Sequence, residues 1–324
     1  MSAPDLTALL KKAACRPVLV DVGSANSRHK IWDRIGEEAV VLGFDPDQRK
    51  VDATFQKVFP NALFVPRAVT PRADEDELEF ILTRYPSCSS VLEPDLEAVS
   101  SFAFRDLFQP ERRVKVPAIT LDQAIEQQGL AGIDWLKLDA QGLDLALIRS
   151  LSQANQDKLL AIEIEPGFIH AYKGESLFPE CHGWMLENGF WLADLNMQRF
   201  PKIRPETQAR LAKSHGINPS PFARQIPGAP TAAEATYLRE ISWFEARTPS
   251  RETLAKAFVF SALTGQIGHA FDLSLLYETR HGMDDLGQLM RELANAPFAR
   301  LRRHPGERIL TLADRVKRRI RKIA

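Results

Sequence analysis

Apolar and polar positions alternate along the first part of the chain in a pattern that predicts strands followed by helices. Three apolar runs, "PVLVDVG", "AVVLGFDPD" and "ALFVPRAVT", have the length of strands that are covered on both faces. Helical patterns follow the first two runs, around "HKIWDRIGEE" and "DATFQKVF", and a short helix over residues 5–14 precedes them. This alternation is typical of a parallel α/β sheet.

After Pro71 the pattern gains extra elements and then resumes. "LEFILTR" and "RRVKVPAIT" predict added strands on either side of a polar insertion, and "TLDQAIEQQG" predicts a helix with Asp122 as its cap and Gly129 at its end. "IDWLKLDAQG" and "KLLAIEIEPG" predict the fourth and fifth core strands, and "FWLADL" with "AEATYLRE" completes a set of seven. The sequence therefore predicts a Rossmann-like, seven-stranded, mostly parallel sheet, followed from about residue 250 by helices alone.

Composition narrows the class of protein without indicating a partner. The chain has 324 residues, and its 42 basic side chains equal its 42 acidic ones, so net charge favours neither nucleic acid nor membrane. Three cysteines without a CxxC pair exclude a disulfide framework. The N-terminus has too short an apolar core for a signal peptide. We expect a cytoplasmic protein with a main domain over 1–245 and a helical C-terminal extension over 246–324.

The loop after the first strand, "DVGSANS", carries the candidate chemistry, because ligands of open α/β sheets bind beyond the carboxyl ends of the strands. A dinucleotide fingerprint would need glycines where the chain has Ala25 and Arg28, and no P-loop lysine follows. Asp45 lies 22 positions after Gly23, near the spacing at which an acid binds ribose hydroxyls. Two interpretations stay open: a site for a nucleoside without a pyrophosphate, or an ordinary turn in which Asp21 caps the next helix.

Four segments, in order, resemble the FkbM-type methyltransferases: "VDVGSANS", "VVLGFDPD", "ITLDQAI…IDWLKLDAQGLDLALIRSL" and "LLAIEIE…ENGFWLADL". The similarity runs from about Val18 to Phe190 and more loosely to Glu240. It implies a class I methyltransferase fold, with S-adenosylmethionine as methyl donor and, most often, a hydroxyl oxygen on a glycan, lipid or secondary metabolite as acceptor. The resemblance also implies donor-binding residues, the last two near the adenine: Asp21, Gly23, Ser24, Asn26, Asp45, Arg67 and Ala68.

Candidate catalytic residues follow the fourth and fifth strands. Asp139, at the carboxyl end of the fourth strand, is the first candidate for the base that removes the hydroxyl proton, and the alternative is a cap for the "GLDLALI" helix. The resemblance places it close to the reacting centre. Glu163 and Glu165 share one face of the fifth strand, and a buried acid needs a partner or a ligand. Glu163 falls where the family also has Glu, and its alternative is a buried acid paired with Arg or Lys. His170 and His29 are further candidate bases, against the ordinary roles of surface or structural histidines.

One departure from the family pattern concerns Gln141, which stands where the family usually has Glu. A glutamine donates and accepts hydrogen bonds but cannot serve as a base or as a strong metal ligand. A methyltransferase-like protein that binds without catalysing is therefore one rival hypothesis, and an NAD-dependent oxidoreductase of the same fold class is another. We predict no metal site, since Cys181 and His182 lack a second pair of ligands.

The chain closes on "GERILTLADRVKRRIRKIA", in which apolar residues recur every three or four positions among many basic ones. Such a basic amphipathic helix suits an anionic membrane surface, and the alternative is a helix packed on the body of the protein. No aromatic residues interleave with the charges, so we expect no nucleic-acid partner. The predicted function is O-methylation of a small-molecule, glycan or lipid-linked acceptor, in the cytoplasm or at the inner face of the membrane.

Overall fold

The computed structural model describes residues 3–23, 29–46, 55–223 and 225–303. Ser24, Asn26 and the basic segment over 306–324, all of which carry sequence-based predictions, lie outside the described residues. The described strands are β1 Val18–Val22, β2 Val40–Phe44, β3 Ala62–Val65, β4 Ala68–Val69, β5 Glu77–Thr83, β6 Pro110–Ile119, β7 Trp135–Leu138, β8 Ala161–Ile164, β9 Phe190–Phe200 and β10 Ala229–Arg239.

Helices lie between the strands, and after β10 the described chain contains helices without further strands. They are α1 Ala3–Lys12, α2 Phe55–Val58, α3 Leu121–Gln127, α4 Asp144–Ser150, α5 Gln153–Gln156, α6 Phe178–Glu187, α7 Pro205–His215, α8 Ile241–Glu245, α9 Arg251–Leu263, α10 Ile267–His281 and α11 Asp285–Arg303. Short 3₁₀ helices span Lys30–Arg34, Gly36–Glu38, Pro86–Cys88 and Arg105–Phe108. In the described part of the chain, no helix combines the length and the apolarity needed to cross a membrane.

Seven strands form the main sheet in the order β3-β2-β1-β7-β8-β10-β9. The first five are parallel to one another, whereas β10 is antiparallel to both of its neighbours. The predicted seven-stranded, mostly parallel sheet with a helical C-terminal region is therefore confirmed. Strand order reverses between β1 and β7, which is the point at which ligands bind in open α/β sheets.

A second, three-stranded sheet has the order β4-β6-β5 and contains both strands that were predicted as additions. The expectation that "ALFVPRAVT" forms one strand is wrong, because the segment divides at Pro66 between two sheets. β3 ends at Val65, and Ala68 begins a pairing with β6 instead. Proline has no N–H to donate to a ladder, so Pro66 is a natural point for the chain to leave the main sheet.

Two local predictions are also corrected. "HKIWDRIGEE" forms two 3₁₀ helices rather than one α-helix, and they are separated at Ile35, whose φ of −130° is not helical. The cap of α3 is Thr120 and not Asp122: Thr120 Oγ1 accepts from Gln123 N at 3.2 Å, and Gln123 Oε1 accepts from Thr120 N at 3.0 Å. This reciprocal pair is a capping box, which satisfies two otherwise free N–H groups. Asp122 instead accepts from Ser152 N at 2.7 Å.

Apolar side chains cover both faces of the main sheet, because neighbouring residues of a strand point to opposite sides. Leu19 and Trp135 pack with α1 and the C-terminal helices, and the next residues, Val20 and Leu136, pack with α3, α4 and α6. The ring centroids of Trp135 and Phe260 in α9 are 5.0 Å apart. The C-terminal helices thus complete the hydrophobic core on one face of the sheet.

Candidate functional site

The predicted donor-binding residues gather at the carboxyl ends of the first three strands. Gly23 N donates to the Phe44 carbonyl at 3.1 Å, and Asp45 N donates to the Val65 carbonyl at 3.4 Å, so the ends of β1, β2 and β3 lie side by side. Arg67 follows β3 with an exposed side chain, and Ala68 is buried at the start of β4. The structure therefore brings the described members of the predicted donor site to one edge of the sheet.

Asp21 is buried and forms an ion pair with a lysine that the sequence analysis did not single out. Lys137 Nζ donates to Asp21 Oδ1 at 2.9 Å, and the two residues are direct partners in the β1–β7 register. Burial raises the pKa of Asp21 above its usual value, and the charge of Lys137 opposes that shift. Asp21 Oδ2 is buried without a hydrogen-bond partner among the described residues, so it remains able to accept one from a ligand.

The backbone at Gly23 comes close to the residue that follows β7. Gly23 has a φ of +89°, and a Cβ at this position would lie 2.8 Å from the Asp139 carbonyl oxygen. Only glycine fits a position that is both left-handed and this crowded. A buried carboxylate oxygen able to accept a hydrogen bond and a side-chain-free backbone beside it fit the amino-acid part of S-adenosylmethionine.

Glu163 is buried on β8, close to His29. Its Oε2 is 3.1 Å from His29 Nε2, and the two form an ion pair when the imidazole is protonated. His29 in turn packs edge-on against Trp32, with ring centroids 4.8 Å apart. The sequence predicts Glu163 either as a catalytic acid or as an acid paired with Arg or Lys, and the group within ion-pair distance is instead the imidazole of His29. His170, the other candidate base in this part of the chain, is exposed.

A cavity of about 320 Å³ opens beyond the carboxyl ends of β7 and β8, beside the donor-binding edge. Asp139, Gln141 and Glu165 contribute polar groups to its lining. Aromatic rings from several separate segments form much of its wall: Tyr85, Phe104, Phe108, Tyr172, Phe200 and Phe222. Neither Glu163 nor His170 is part of this lining. The cavity therefore has a largely aromatic wall to which the carboxylates of Asp139, Glu165 and Glu175 also contribute.

Gln141 connects two residues of the cavity wall. Its Nε2 donates to Asp139 Oδ1 at 2.5 Å, and its Oε1 is 2.8 Å from the Tyr172 hydroxyl, which also lies 2.9 Å from the Cys88 carbonyl. The Gln141 carbonyl accepts from Ser90 Oγ at 2.8 Å. The side chain and backbone of Gln141 are therefore fixed from both sides, and the amide holds the Asp139 carboxylate in one orientation.

Glu165 contributes a second carboxylate to the cavity. Burial, followed by the charges of Asp139 and Asp144, raises the pKa of Glu165 to about 8, while Lys137 acts in the opposite direction. Asp144 Oδ1 accepts from Ala140 N at 3.0 Å and Asp144 Oδ2 accepts from Glu165 N at 2.8 Å. Asp144 thus fixes the backbone at the ends of β7 and β8, and burial raises its own pKa to about 7.

Two further cavities, of about 350 and about 400 Å³, lie at the opposite, amino edge of the sheet. Arg239 lines the smaller of them as a buried cation, stacked 3.8 Å from the centroid of Phe190. It also donates to backbone carbonyls, including that of Leu159 at 2.6 Å. Burial lowers the pKa of Arg239 to about 9. The polar groups at this edge serve packing between strands and helices. Among the described residues, no group of three or more His, Cys, Asp or Glu side chains is arranged to hold a metal ion.

Comparison with known proteins identifies a family by sequence. Residues 21–192, slightly more than half of the chain, match the family model described as the Methyltransferase FkbM domain. No curated protein matches the chain significantly. The matched segment contains the ends of β1 and β2, the residues after β7 and the whole of β8. It therefore includes the donor-binding edge and the carboxylates of the cavity.

Solved structures of methyltransferases are similar to the chain at low identity. A TehB-like SAM-dependent methyltransferase from Corynebacterium glutamicum is 14% identical, with 73% of this chain and 88% of that chain covered and a TM-score of 0.26. The 1,6-didemethyltoxoflavin-N1-methyltransferase of Burkholderia thailandensis is 14% identical, with 73% and 77% covered and a TM-score of 0.29. A 30S ribosomal methyltransferase from an uncultured bacterium is 13% identical, with 74% and 94% covered and a TM-score of 0.27.

Proposed function

We propose, from the premise that the chain belongs to the FkbM methyltransferase family, that it transfers a methyl group to a hydroxyl oxygen of a glycan, glycolipid or related metabolite. The methyl donor is S-adenosylmethionine. The observation that carries this proposal is the contact between Gly23 and Asp139, which joins the donor-binding edge to the aromatic cavity. A donor bound at Gly23 would present its methyl group to an acceptor held in that cavity.

The donor side of the proposed site uses residues at the ends of β1, β2 and β3. Asp21 Oδ2 would accept from the donor ammonium, the Gly23 backbone would lie against its amino-acid part, and Asp45 would bind the ribose hydroxyls. Arg67 and Ala68 would flank the adenine. Ser24 and Asn26, which lie outside the described residues, complete the proposed set.

The acceptor side is defined by aromatic and acidic side chains. Aromatic faces offer apolar surface to the C–H groups of a sugar ring, and carboxylates accept hydrogen bonds from its hydroxyls. None of the described residues that line the cavity is basic. An acid-lined cavity repels the phosphates of a nucleic acid, so these observations favour a neutral hydroxylated acceptor.

Bound S-adenosylmethionine supplies an electrophilic methyl group, and the protein supplies placement and a group that accepts the hydroxyl proton. Holding the two reactants in line accounts for much of the acceleration of such a displacement. Asp139, next to Gly23, is the carboxylate that we assign to contact the acceptor hydroxyl. Proton transfer from that hydroxyl to one of the carboxylates of the cavity typically adds a factor on the order of 100 to 10,000.

Calorimetric titration with S-adenosylmethionine and S-adenosylhomocysteine tests the donor site. We expect a dissociation constant of about 1 to 100 μM. It should rise at least tenfold in an Asp45→Ala variant and stay unchanged in an Asp194→Ala variant. Asp194 is the matched control because it is exposed and lies on β9, at the far edge of the sheet. No binding by the intact protein would contradict the proposal and favour the non-catalytic scaffold, and stabilisation by NAD instead would favour an oxidoreductase.

The compartment and membrane contact remain part of the proposal. The segment over 306–324 combines apolar periodicity with a high density of basic residues, which suits an anionic surface. We propose that the protein works in the cytoplasm and contacts the inner face of the membrane through this segment. Co-sedimentation with anionic but not with neutral vesicles, lost when residues 306–324 are removed, would support that contact.

A further inference from the structure

We propose that Glu165 is the catalytic base that takes the proton from the acceptor hydroxyl, and that Asp139, held by Gln141, positions that hydroxyl. This inference rests on the proposed function, because it needs a hydroxyl acceptor in the aromatic cavity. It gives the proton-accepting role to a residue other than the strand acid Glu163 and other than His170.

Placement first distinguishes Glu165 from the other acids of this region. Its side chain lines the cavity immediately after β8, while its backbone is fixed by the bond from Glu165 N to Asp144 Oδ2. Glu163 does not line the cavity, and its Oε2 lies 3.1 Å from His29 Nε2 instead. Glu175 lines the cavity, but its Oε1 accepts from Tyr172 N at 2.8 Å and so supports the wall.

The hydrogen bonds of the two cavity carboxylates assign different roles to them. Asp139 Oδ1 is occupied by the Gln141 amide at 2.5 Å, which fixes this carboxylate in one orientation. The Glu165 carboxylate has one hydrogen-bond partner among the described residues, Gln198 Nε2 at a distant 3.4 Å. The carboxylate oxygens of Glu165 can therefore accept a proton from the acceptor hydroxyl. The Asp139 carboxylate is instead fixed in its orientation by the Gln141 amide.

The electrostatic surroundings also suit Glu165 to this role. Besides burial, the charges of Asp139, Asp144 and Glu234 favour its protonated form, and Lys137 opposes them. The resulting pKa of Glu165, about 8, is close to physiological pH, where a general base is most effective. Glu165 as a base would also make the rate rise as the pH increases toward that value.

The step balances without a further reactant. The hydroxyl proton passes to a Glu165 carboxylate oxygen, and the acceptor oxygen forms a bond to the methyl carbon. The bond from that carbon to sulfur breaks, and its electron pair stays on sulfur. The products are a methyl ether, S-adenosylhomocysteine and a protonated Glu165, which then releases its proton to solvent.

The test compares Glu165→Gln with a matched control, Glu234→Gln, in the full chain. Glu234 is exposed, lies outside the cavity lining and contributes charge to the surroundings of Glu165. Methyl glycosides of neutral hexoses serve as acceptors, with radiolabelled methyl donor. We expect kcat to fall by about 100-fold or more in Glu165→Gln, with donor affinity unchanged by calorimetry, and the pH-dependent rise in rate to disappear. Glu234→Gln should keep kcat within about threefold and keep the rise, moved to a lower pH because one of the charges that raise the pKa of Glu165 is removed.

Infrared difference spectra report the protonation of Glu165 without depending on turnover. They are recorded from about two pH units below 8 to about two pH units above it. A protonated-carboxyl band that titrates near 8 in the intact protein and is absent from Glu165→Gln supports the inference. Absence of this band, or a Glu165→Gln variant with near-normal kcat and pH profile, overturns it. If the intact protein binds donor but methylates none of the glycosides, the proposed acceptor class fails, and the infrared result still decides how Glu165 titrates.

Discussion

Gln141 Nε2 donates a 2.5 Å hydrogen bond to Asp139 Oδ1 while Gln141 itself holds a φ of +48°. A non-glycine residue in this left-handed region costs about 1 to 3 kcal/mol, and such conformations cluster at functional sites. The amide also meets the Tyr172 hydroxyl through its Oε1. The glutamine therefore performs a positioning role that needs a donor and an acceptor, both of which its amide has. Its presence where the family usually has Glu is compatible with an active enzyme.

The first prediction concerns the two hydrogen bonds of Gln141. Gln141→Leu keeps the approximate size of the side chain but leaves Asp139 without its donor, so we expect kcat to fall about tenfold with donor affinity unchanged, an effect of about 1.4 kcal/mol. Gln141→Glu places a second carboxylate beside Asp139. Two carboxylates at this distance repel each other when both are ionised, so they hold one proton between them. We therefore expect its rate to decline at high pH, where the intact protein is fastest. Identical pH profiles for the two variants would contradict the positioning role.

The second prediction concerns the crowding at Gly23. Gly23→Ala would place a Cβ 2.8 Å from the Asp139 carbonyl oxygen at a φ of +89°, so we expect a loss of about 1 to 3 kcal/mol in stability and at least tenfold weaker donor binding. Gly129→Ala is the matched control, because Gly129 also has a positive φ, +63°, but open space around its Cβ position. Thermal melts measure the stability of both variants, and calorimetry measures their donor binding. Both variants have the strain of a positive φ, and only Gly23→Ala also has the clash with Asp139. Normal donor binding by Gly23→Ala would show that this backbone does not contact the donor.

The third prediction concerns the buried pair of Asp21 and Lys137. Lys137→Met removes the cation and leaves the Asp21 carboxylate buried without a partner, which typically costs about 3 to 5 kcal/mol. An Asp21→Asn change in the same chain removes the orphaned charge, so the double variant should be more stable than Lys137→Met alone. Urea unfolding measures both. Equal stability of the single and double variants would show that the charge of Asp21 is not what destabilises the protein.

The fourth prediction concerns the pH dependence of stability. The pKa of Glu165 in the folded protein is about 8, above its ordinary value of 4.5, so the folded state binds its proton more tightly than the unfolded chain does. The free energy of unfolding that this group contributes is therefore fully present below about 4.5 and is lost as the pH rises to about 8. Glu165→Gln should remove this slope. Above pH 8 it should be more stable than the intact protein, by on the order of a few kcal/mol at most. Parallel stability–pH curves, measured by urea unfolding, would show an ordinary pKa for Glu165.

Most strands and the helical end could be predicted because their signals are local. A run such as "VLVDV" is apolar on both strand faces, and both faces are indeed covered. The sheet change at Pro66 could not be predicted, because it depends on which partner strand Ala68 finds far along the chain. The cap of α3 depends on a two-sided bond between Thr120 and Gln123, and an aspartate nearby was the more obvious candidate from sequence.

The placement of the candidate site residues could be predicted where they follow strand ends, and much less where their contacts come from distant segments. Asp21 and Asp139 stand directly at or after strands, so sequence position was enough to select them. Lys137 is 116 positions from Asp21, and only the β1–β7 register makes them neighbours. Tyr172 is likewise distant from Cys88, whose carbonyl it meets. Pairing of this kind is decided by tertiary packing, for which a single sequence carries little signal.

The hydrophobic core that α9 shares with the main sheet has a consequence for shortened forms of the protein. Leu254, Phe258 and Phe260 of α9 are completely buried, and Phe260 lies against Trp135 of β7. A chain that ended before Arg251 would turn these contacts into exposed apolar sheet surface, beside the strand that leads into the cavity. Exposed surface of this kind promotes aggregation. We therefore expect a chain that lacks the last helices to aggregate.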